Sequence, residues 1–206
     1  MLAVLPVKAQ QVNLPVQLAH YVFDSFKQGK VLIKSGTVYE QSLNYNILTN
    51  EMIFDNGGRF MAISDPANVD TVFISGRKFV PAENKFYELL AKTTLPLFME
   101  FTATIEEPGT SIGYGASTST GSTTSLSTLL KSGDVYGLKL PDAFKVIPGF
   151  NFRILKEGKY LKAGSSKLLT IIFPEKKQLI SELVKKNKTN FSKRDDVIVL
   201  VQQLQQ

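Results

Sequence analysis

From Lys30 onward, apolar and polar residues alternate in short runs separated by turn chemistry: "KVLIK" then Ser-Gly, "TVYEQSLNYNIL", "EMIFD" then "NGG", "RFMAIS", "DTVFIS" then "GRKFV". A period of two puts every second side chain on one face of a sheet, so these runs predict consecutive antiparallel strands. Asn56-Gly57 predicts a type I′ hairpin, because both residues tolerate positive φ. "KFYELLAK" fits a strand or a short helix, and its length leaves periodicity unable to choose. "PLFMEFTATIEE" predicts a long strand, "DVYGLKL" and "FKVI" two more, and "NFRILKEGKYLKAG" a hairpin turning at Glu157-Gly158.

The period changes after Gly164. "SSKLLTIIF" ends at Pro174, which suits a first helical turn. In "PEKKQLISELVKKN" helical spacing places Leu179, Ile180, Leu183 and Val184 on one face and Lys176, Lys177, Lys185 and Lys186 largely elsewhere. "SKRDDVIVLVQQL" predicts a last helix with Ser192 as N-cap, Asp195 three residues on, and an inner stripe of Val197, Val201 and Leu204 joined by Ile198 and Leu200. Helices this short are marginal alone and must pack on each other or on the sheet. The predicted class is therefore α+β, mainly β. An antiparallel meander, roll or sandwich occupies residues 10–163, followed by two or three C-terminal helices in residues 164–206 packed on it.

Composition narrows the chemistry. The 206 residues include 14 Phe and 7 Tyr but no Trp, which favours pleated, half-buried surfaces. The absence of Cys excludes disulfides, Cys-ligated zinc, iron–sulfur clusters, thiol nucleophiles and a lipoprotein anchor. The single His20 excludes multi-histidine metal sites. No D-x-[DN]-x-[DN]-G loop is present, and no metal site or cofactor is implied. The net charge of +6 is uneven: residues 1 to 138 hold ten Lys/Arg against twelve Asp/Glu, and residues 139 to 206 hold fourteen against six. That asymmetry is compatible with an anionic surface as partner, or with lysines that solvate helix faces.

"MLAVLPVKAQ" joins an apolar run to small or aliphatic residues at Val7 and Ala9, as at the end of a secretory signal, so residues 1–9 are expected to be a signal-peptide remnant. No later stretch is apolar and long enough to predict a transmembrane helix.

Two blocks carry a resemblance. "GKVLIKSGTVYEQSLNYNILTNEMIF", with its Gly-x-Val-x-x-Lys-x-Gly strand-turn and Leu-Asn-Tyr-Asn element, resembles the opening of uncharacterised secreted proteins of Bacteroidetes-type bacteria. "IIFPEKKQLISELVKKNKTNFSKRDDVIVLVQQL" is similar to their C-terminal helical pair. The resemblance implies a cell-envelope protein, periplasmic or secreted, and brings no activity, ligand or catalytic residue. It also brings up Asp70-Thr71-Val72, similar to the Asp-Thr-aliphatic O-glycosylation motif of such bacteria. Inside a predicted strand, the tripeptide reads more simply as strand sequence.

Among candidate sites, the stretch 106–133, "EEPGTSIGYGASTSTGSTTSLSTLLKSG", resembles neither a phosphate loop nor a nucleophile elbow. Gly113, Gly115 and Gly121 are followed by no Lys-Ser/Thr, and "GASTSTG" has Ser119 where a second Gly is needed. It reads as a mobile spacer or as a contact surface for a partner or glycan, with Tyr114 as its candidate contact. Leu126, Leu129 and Leu130 are spaced like one helical turn.

Glu51, Asp55, Glu100, Glu106 and Glu107 are available for a glycosidase-type pair, which needs two carboxyl groups about 5 Å or more apart. His20 stands near Asp24 and Ser25 without any reason for the three to converge. Nucleic acid is not expected, since the basic segment carries few aromatics.

The expected role is a non-catalytic binding or interaction component of the cell envelope, with an envelope protein, glycan or anionic surface as partner. The binding candidates are Tyr114, Lys176, Lys177, Lys185 and Lys186. The competing reading is a carboxylate-dependent glycan hydrolase.

Overall fold

Strand formation is driven by tight hairpins. A computed structural model describes residues 20–106, 110–111, 117–118, 136 and 145–206. Its strands are β1 (Lys27–Ile33), β2 (Val38–Asn46), β3 (Glu51–Asn56), β4 (Arg59–Ala62), β5 (Val69–Ile74), β6 (Arg77–Ala82), β7 (Lys85–Ala91), β8 (Leu97–Glu106), β9 (Thr110–Ser111), β10 (Ser117–Thr118), β11 (Lys145–Lys156) and β12 (Lys159–Lys162). Two-residue turns join β3 to β4, β5 to β6, β6 to β7 and β11 to β12. Both turn residues have positive φ in each case: Gly57-Gly58, Ser75-Gly76, Glu83-Asn84 and Glu157-Gly158. That is the type I′ geometry whose twist matches the flanking strands. The turn expected at Asn56-Gly57 therefore falls one residue later, because Asn56 still pairs with Arg59.

Ten strands form one antiparallel open sheet in the order β12-β11-β8-β7-β6-β5-β1-β2-β3-β4. β9 and β10 form a separate two-stranded ladder inside the Ser/Thr-rich stretch. "KFYELLAK" is strand β7. "FKVI" and the following hairpin arm run on as one twelve-residue strand, β11, straight through Pro148-Gly149. Pro148 is tolerated because β12 pairs only with Arg153 to Lys156 and, among the described residues, leaves that part of β11 without a neighbour on its second side. The strand expected in "DVYGLKL" lies outside the described residues, apart from Tyr136.

The sheet is rolled. β2 and β7 are four strands apart, about 19 Å if the sheet were flat, yet the Tyr45 Oη accepts a hydrogen bond from the Phe86 backbone N–H at 3.3 Å. Register shifts at Leu32/Ile33 and Leu89/Ala91 add the local twist that curls it. At Gly29 a Cβ would lie 2.5 Å from the Phe73 carbonyl oxygen, so only glycine lets β1 and β5 meet there. Inside the roll, Leu43, Tyr45, Met52, Val72, Ile74, Phe79 and Phe86 are fully or almost fully buried.

Three helices follow: α1 (Ser166–Ile172), α2 (Lys177–Asn187) and α3 (Arg194–Leu204), with a 3-10 turn at Pro174–Lys176 between the first two. Ser165 caps α1 by accepting from the Leu168 N–H. Leu169, Ile172, Ile180, Val197, Leu200, Val201 and Leu204 bury themselves against Leu97, Met99, Phe152 and Ile154 of β8 and β11. Two helical expectations need correction. Leu179 lies off the inner face of α2 and is 38% exposed. The N-cap of α3 is Lys193, without a side-chain cap bond; Ser192 is instead drawn into a turn, where its N–H donates to the Asn190 Oδ1. Among the described residues no helix is long and apolar enough to cross a membrane.

Candidate functional site

The helices cover the inner face of the β7-β8-β11 side, and the inner face of β1 to β4 has no such cover among the described residues. Period-two alternation puts Val31 opposite Tyr39, Leu43 opposite Phe54, and Phe54 opposite Met61 on that face. Together with Ile33 and Ile63 they enclose a groove of about 390 Å³. Burial changes sharply along β2: Leu43 to Asn46 are buried, whereas Val38 to Gln41 are exposed. The groove thus runs from a dry end at Leu43 to a wet mouth, where Tyr39 is 54% and Met61 40% exposed. Gln41, Ser64 and the Tyr39 hydroxyl supply its polar groups.

The Leu-Asn-Tyr-Asn element explains how the groove is held. Leu43 and Tyr45 face inward, while Asn44 and Asn46 face outward and are buried. Asn44 uses its full bonding capacity. Its Oδ1 accepts from the Phe23 and Tyr45 N–H groups, and its Nδ2 donates to the Phe23 and Ser25 carbonyls. The Asn46 Oδ1 accepts from the Leu48 and Thr49 N–H groups and shapes the turn into β3. The segment from Tyr21 to Phe26 is thereby clamped alongside β2, where the Val22 N–H also donates to the Tyr45 carbonyl. Tyr21 and Phe26 pack on the outer face with Ile53, Phe60 and Tyr136, and Phe23 reaches the inner cluster beside Phe79.

Two buried carboxylates dominate the other half, on opposite faces of the sheet. Glu88 points inward and is completely buried. It accepts from the Arg77 Nε and Nη2 at 2.9 and 2.6 Å and from the Arg194 Nη2 of α3 at 2.7 Å. The Arg77 guanidinium also lies over the rings of Phe23, Phe79 and Phe101, 4.9 to 5.5 Å from their centroids. Glu100 points outward and accepts from the Lys85 Nζ at 2.8 Å and from the Arg153 Nε and Nη2 at 2.9 and 2.6 Å. Burial pushes the Glu100 carboxyl up, but the bonds from Lys85 and Arg153 outweigh it and hold it below the ordinary range.

The remaining candidate carboxylates do not gather around either. Glu51 accepts from the Tyr136 hydroxyl, and Asp55 from the Gly58 N–H at the β3–β4 turn. The side chain of Glu106 and all of Glu107 lie outside the described residues. Among the described residues no three His, Cys, Asp or Glu cluster as a metal site.

His20 is buried, with its ring 4.6 Å from that of Tyr21. Asp24 lies on the surface, where Lys27 and the Ser25 hydroxyl bond to it and lower its pKa. Thr71 is 2% exposed, and its hydroxyl donates to the Asp70 Oδ1 at 2.7 Å, so the folded chain offers no accessible acceptor there.

The four lysines do not form one patch. The Lys176 Nζ donates to the Leu204 carbonyl at the end of α3. At about 100° per residue, Lys177 and Lys185 lie on one flank of α2 and Lys186 on the other, beside Leu179. Tyr114, Leu126, Leu129 and Leu130 lie outside the described residues. Sequence reasoning did not find the groove or the Arg77–Glu88–Arg194 link; the available signal was the apolar alternation of β1 to β4 continuing beyond what their own turns cover. Compared with protein-family models, curated proteins and solved structures, the chain gives no match.

Proposed function

We propose that this chain is a non-catalytic binding protein of the bacterial cell envelope whose working surface is the groove between β1 and β4. The observation that carries this reading is the groove itself: about 390 Å³, floored by Val31, Leu43 and Phe54, with Tyr39 and Met61 at its mouth and few polar groups in its lining. Its size falls in the range of small-molecule sites, about 300–1,000 Å³. An apolar floor with a hydroxyl and an amide near the entrance suits an amphipathic molecule such as a single acyl chain, its tail toward Leu43 and its head beside Tyr39 and Gln41.

The chemistry of the carboxylates supports a binding role over hydrolysis. A glycosidase pair must flank one bond. Glu88 and Glu100 face opposite sides of the sheet, and each is saturated by two cationic side chains. Glu100, which the bonds from Lys85 and Arg153 hold below the ordinary carboxyl range, is poorly placed to donate a proton near neutral pH. The envelope address rests on the signal-like start and the sequence resemblance.

The test is fluorescence titration with N-phenyl-1-naphthylamine, followed by displacement with decanoate. Wild-type protein is expected to enhance probe emission saturably and to release the probe to decanoate. Tyr39→Glu and Met61→Glu, at two exposed mouth positions, should weaken probe binding at least tenfold with the unfolding midpoint unchanged. Probe binding that is absent, or indifferent to both substitutions, would overturn the reading.

A further inference from the structure

The outer face of the same strands carries a second, chemically different site. Glu40, Lys30, Phe73 and Lys78 are in register across β2, β1, β5 and β6. Their side chains therefore stand in one row on the face opposite the groove. Phe73 is 41% exposed at the centre of that row. The Lys78 Nζ lies 5.9 Å from its ring centroid, and the Lys30 Nζ pairs with the Glu40 Oε1 at 2.9 Å. Gln28 and the Ser75-Gly76 turn close a depression of about 260 Å³ around this row. Both turn residues have positive φ, which fixes a type I′ hairpin at the rim.

We infer that this depression is a glycan-binding site in which Phe73 stacks on a pyranose ring while Gln28, Lys30, Glu40 and Ser75 bond to its hydroxyls. The ring face of an aromatic carries partial negative charge and attracts polarised C–H groups such as those on one face of a pyranose. Each sugar hydroxyl both donates and accepts, so it is matched by a set holding an acceptor carboxylate, a donor ammonium group, and an amide and a hydroxyl that do both. All four polar groups are exposed, as reversible exchange with water requires. A single-stranded nucleic acid fits less well. It also stacks on aromatics, but its phosphates need an uninterrupted cationic track, and Glu40 sits within hydrogen-bond distance of Lys30.

This site is separate from the groove and does not depend on its occupant. Isothermal titration of the full chain with cellohexaose, maltohexaose, chitohexaose and tetragalacturonate, with dT20 as competitor class, tests it. At least one saccharide is expected to bind with micromolar to low-millimolar affinity. Phe73→Ala should weaken it at least tenfold, Phe73→Trp should retain it, and Glu40→Gln should weaken it several-fold. Met61→Glu should leave it unchanged, and Phe73→Ala should leave naphthylamine binding unchanged. No binding by any saccharide, binding indifferent to Phe73→Ala, or tighter binding of dT20 than of every saccharide would each overturn the proposal.

Discussion

The two ends of the rolled sheet are built alike and finished differently. On the β7-β8-β11 side, the inner face is sealed by α1 to α3, and Gln205 ties the end of α3 to the β7–β8 connection by bonding both the N–H and the carbonyl of Leu95. On the β1-β4 side, Tyr21, Phe26 and Tyr136 cover only the part of the outer face around Ile53 and Phe60, and the inner face keeps a groove. The helices follow β12 directly in the chain and so settle on the nearest strands. One architecture thus supplies a packed half and a half whose inner face keeps an open groove.

The largest effect that sharpens this comparison is expected in the packed half. Glu88 is the junction between the roll, through Arg77, and the helices, through Arg194. Removing its charge leaves two arginines without their partner, and breaking such a buried link costs roughly 3–5 kcal/mol. Urea unfolding of Glu88→Gln is expected to show a loss of that size; an unchanged midpoint would mean the helices do not depend on this link.

Asn44→Ala tests the open half. It removes three hydrogen bonds to the clamped segment and one to the Tyr45 N–H, and with some of the freed groups reached by water the expected loss is about 2–3 kcal/mol. Hydrogen exchange should rise in residues 21 to 26 and in β2 while α3 stays protected. Uniform loss of protection in both halves would contradict the separation drawn here.

Glu100 gives a smaller effect with a pH signature. Its folded pKa lies below the ordinary 4.5, so it contributes stability that is present above the unfolded carboxyl pKa and lost as pH falls through the folded value. Glu100→Gln is expected to cost about 2 kcal/mol at pH 7, discounted because Lys85 is partly solvated. The gap from wild type should narrow as pH drops below about 4. A gap that stays constant from pH 7 to pH 3 would remove the ion pair from the account. The smallest effect belongs to Lys176→Ala, which removes a cation from the C-terminal end of α3 and is expected to lower stability by about 0.5–1 kcal/mol.

Local chemistry was legible in the sequence, and convergence was not. Glu157-Gly158 was readable as a turn because both positions take positive φ without help from the rest of the fold. Val197, Val201 and Leu204 were readable as a helical stripe for a similar reason, since their spacing alone decides their face. The β3–β4 turn slipped by one because "NGG" offers two equally permissive pairs and register, a non-local property, chooses between them. Arg194 and Glu88 are 106 positions apart, and nothing in either neighbourhood announces the other. The groove depends on how far the sheet curls, which Gly29, two register shifts and the reach of Tyr45 settle together. Lys176, Lys177, Lys185 and Lys186 look like a patch only because they are close in sequence; a helix and a C-terminal contact disperse them.

The methionines allow the central claim to be read in one spectrum. Met61 lies at the groove mouth, Met52 in the core of the roll, and Met99 beneath the helices. With methyl-labelled methionine, titration with decanoate is predicted to shift the Met61 resonance saturably and leave Met99 in place. A shift at Met99 with Met61 unmoved, or no shift at all, would contradict the assignment of the β1–β4 groove as the binding surface.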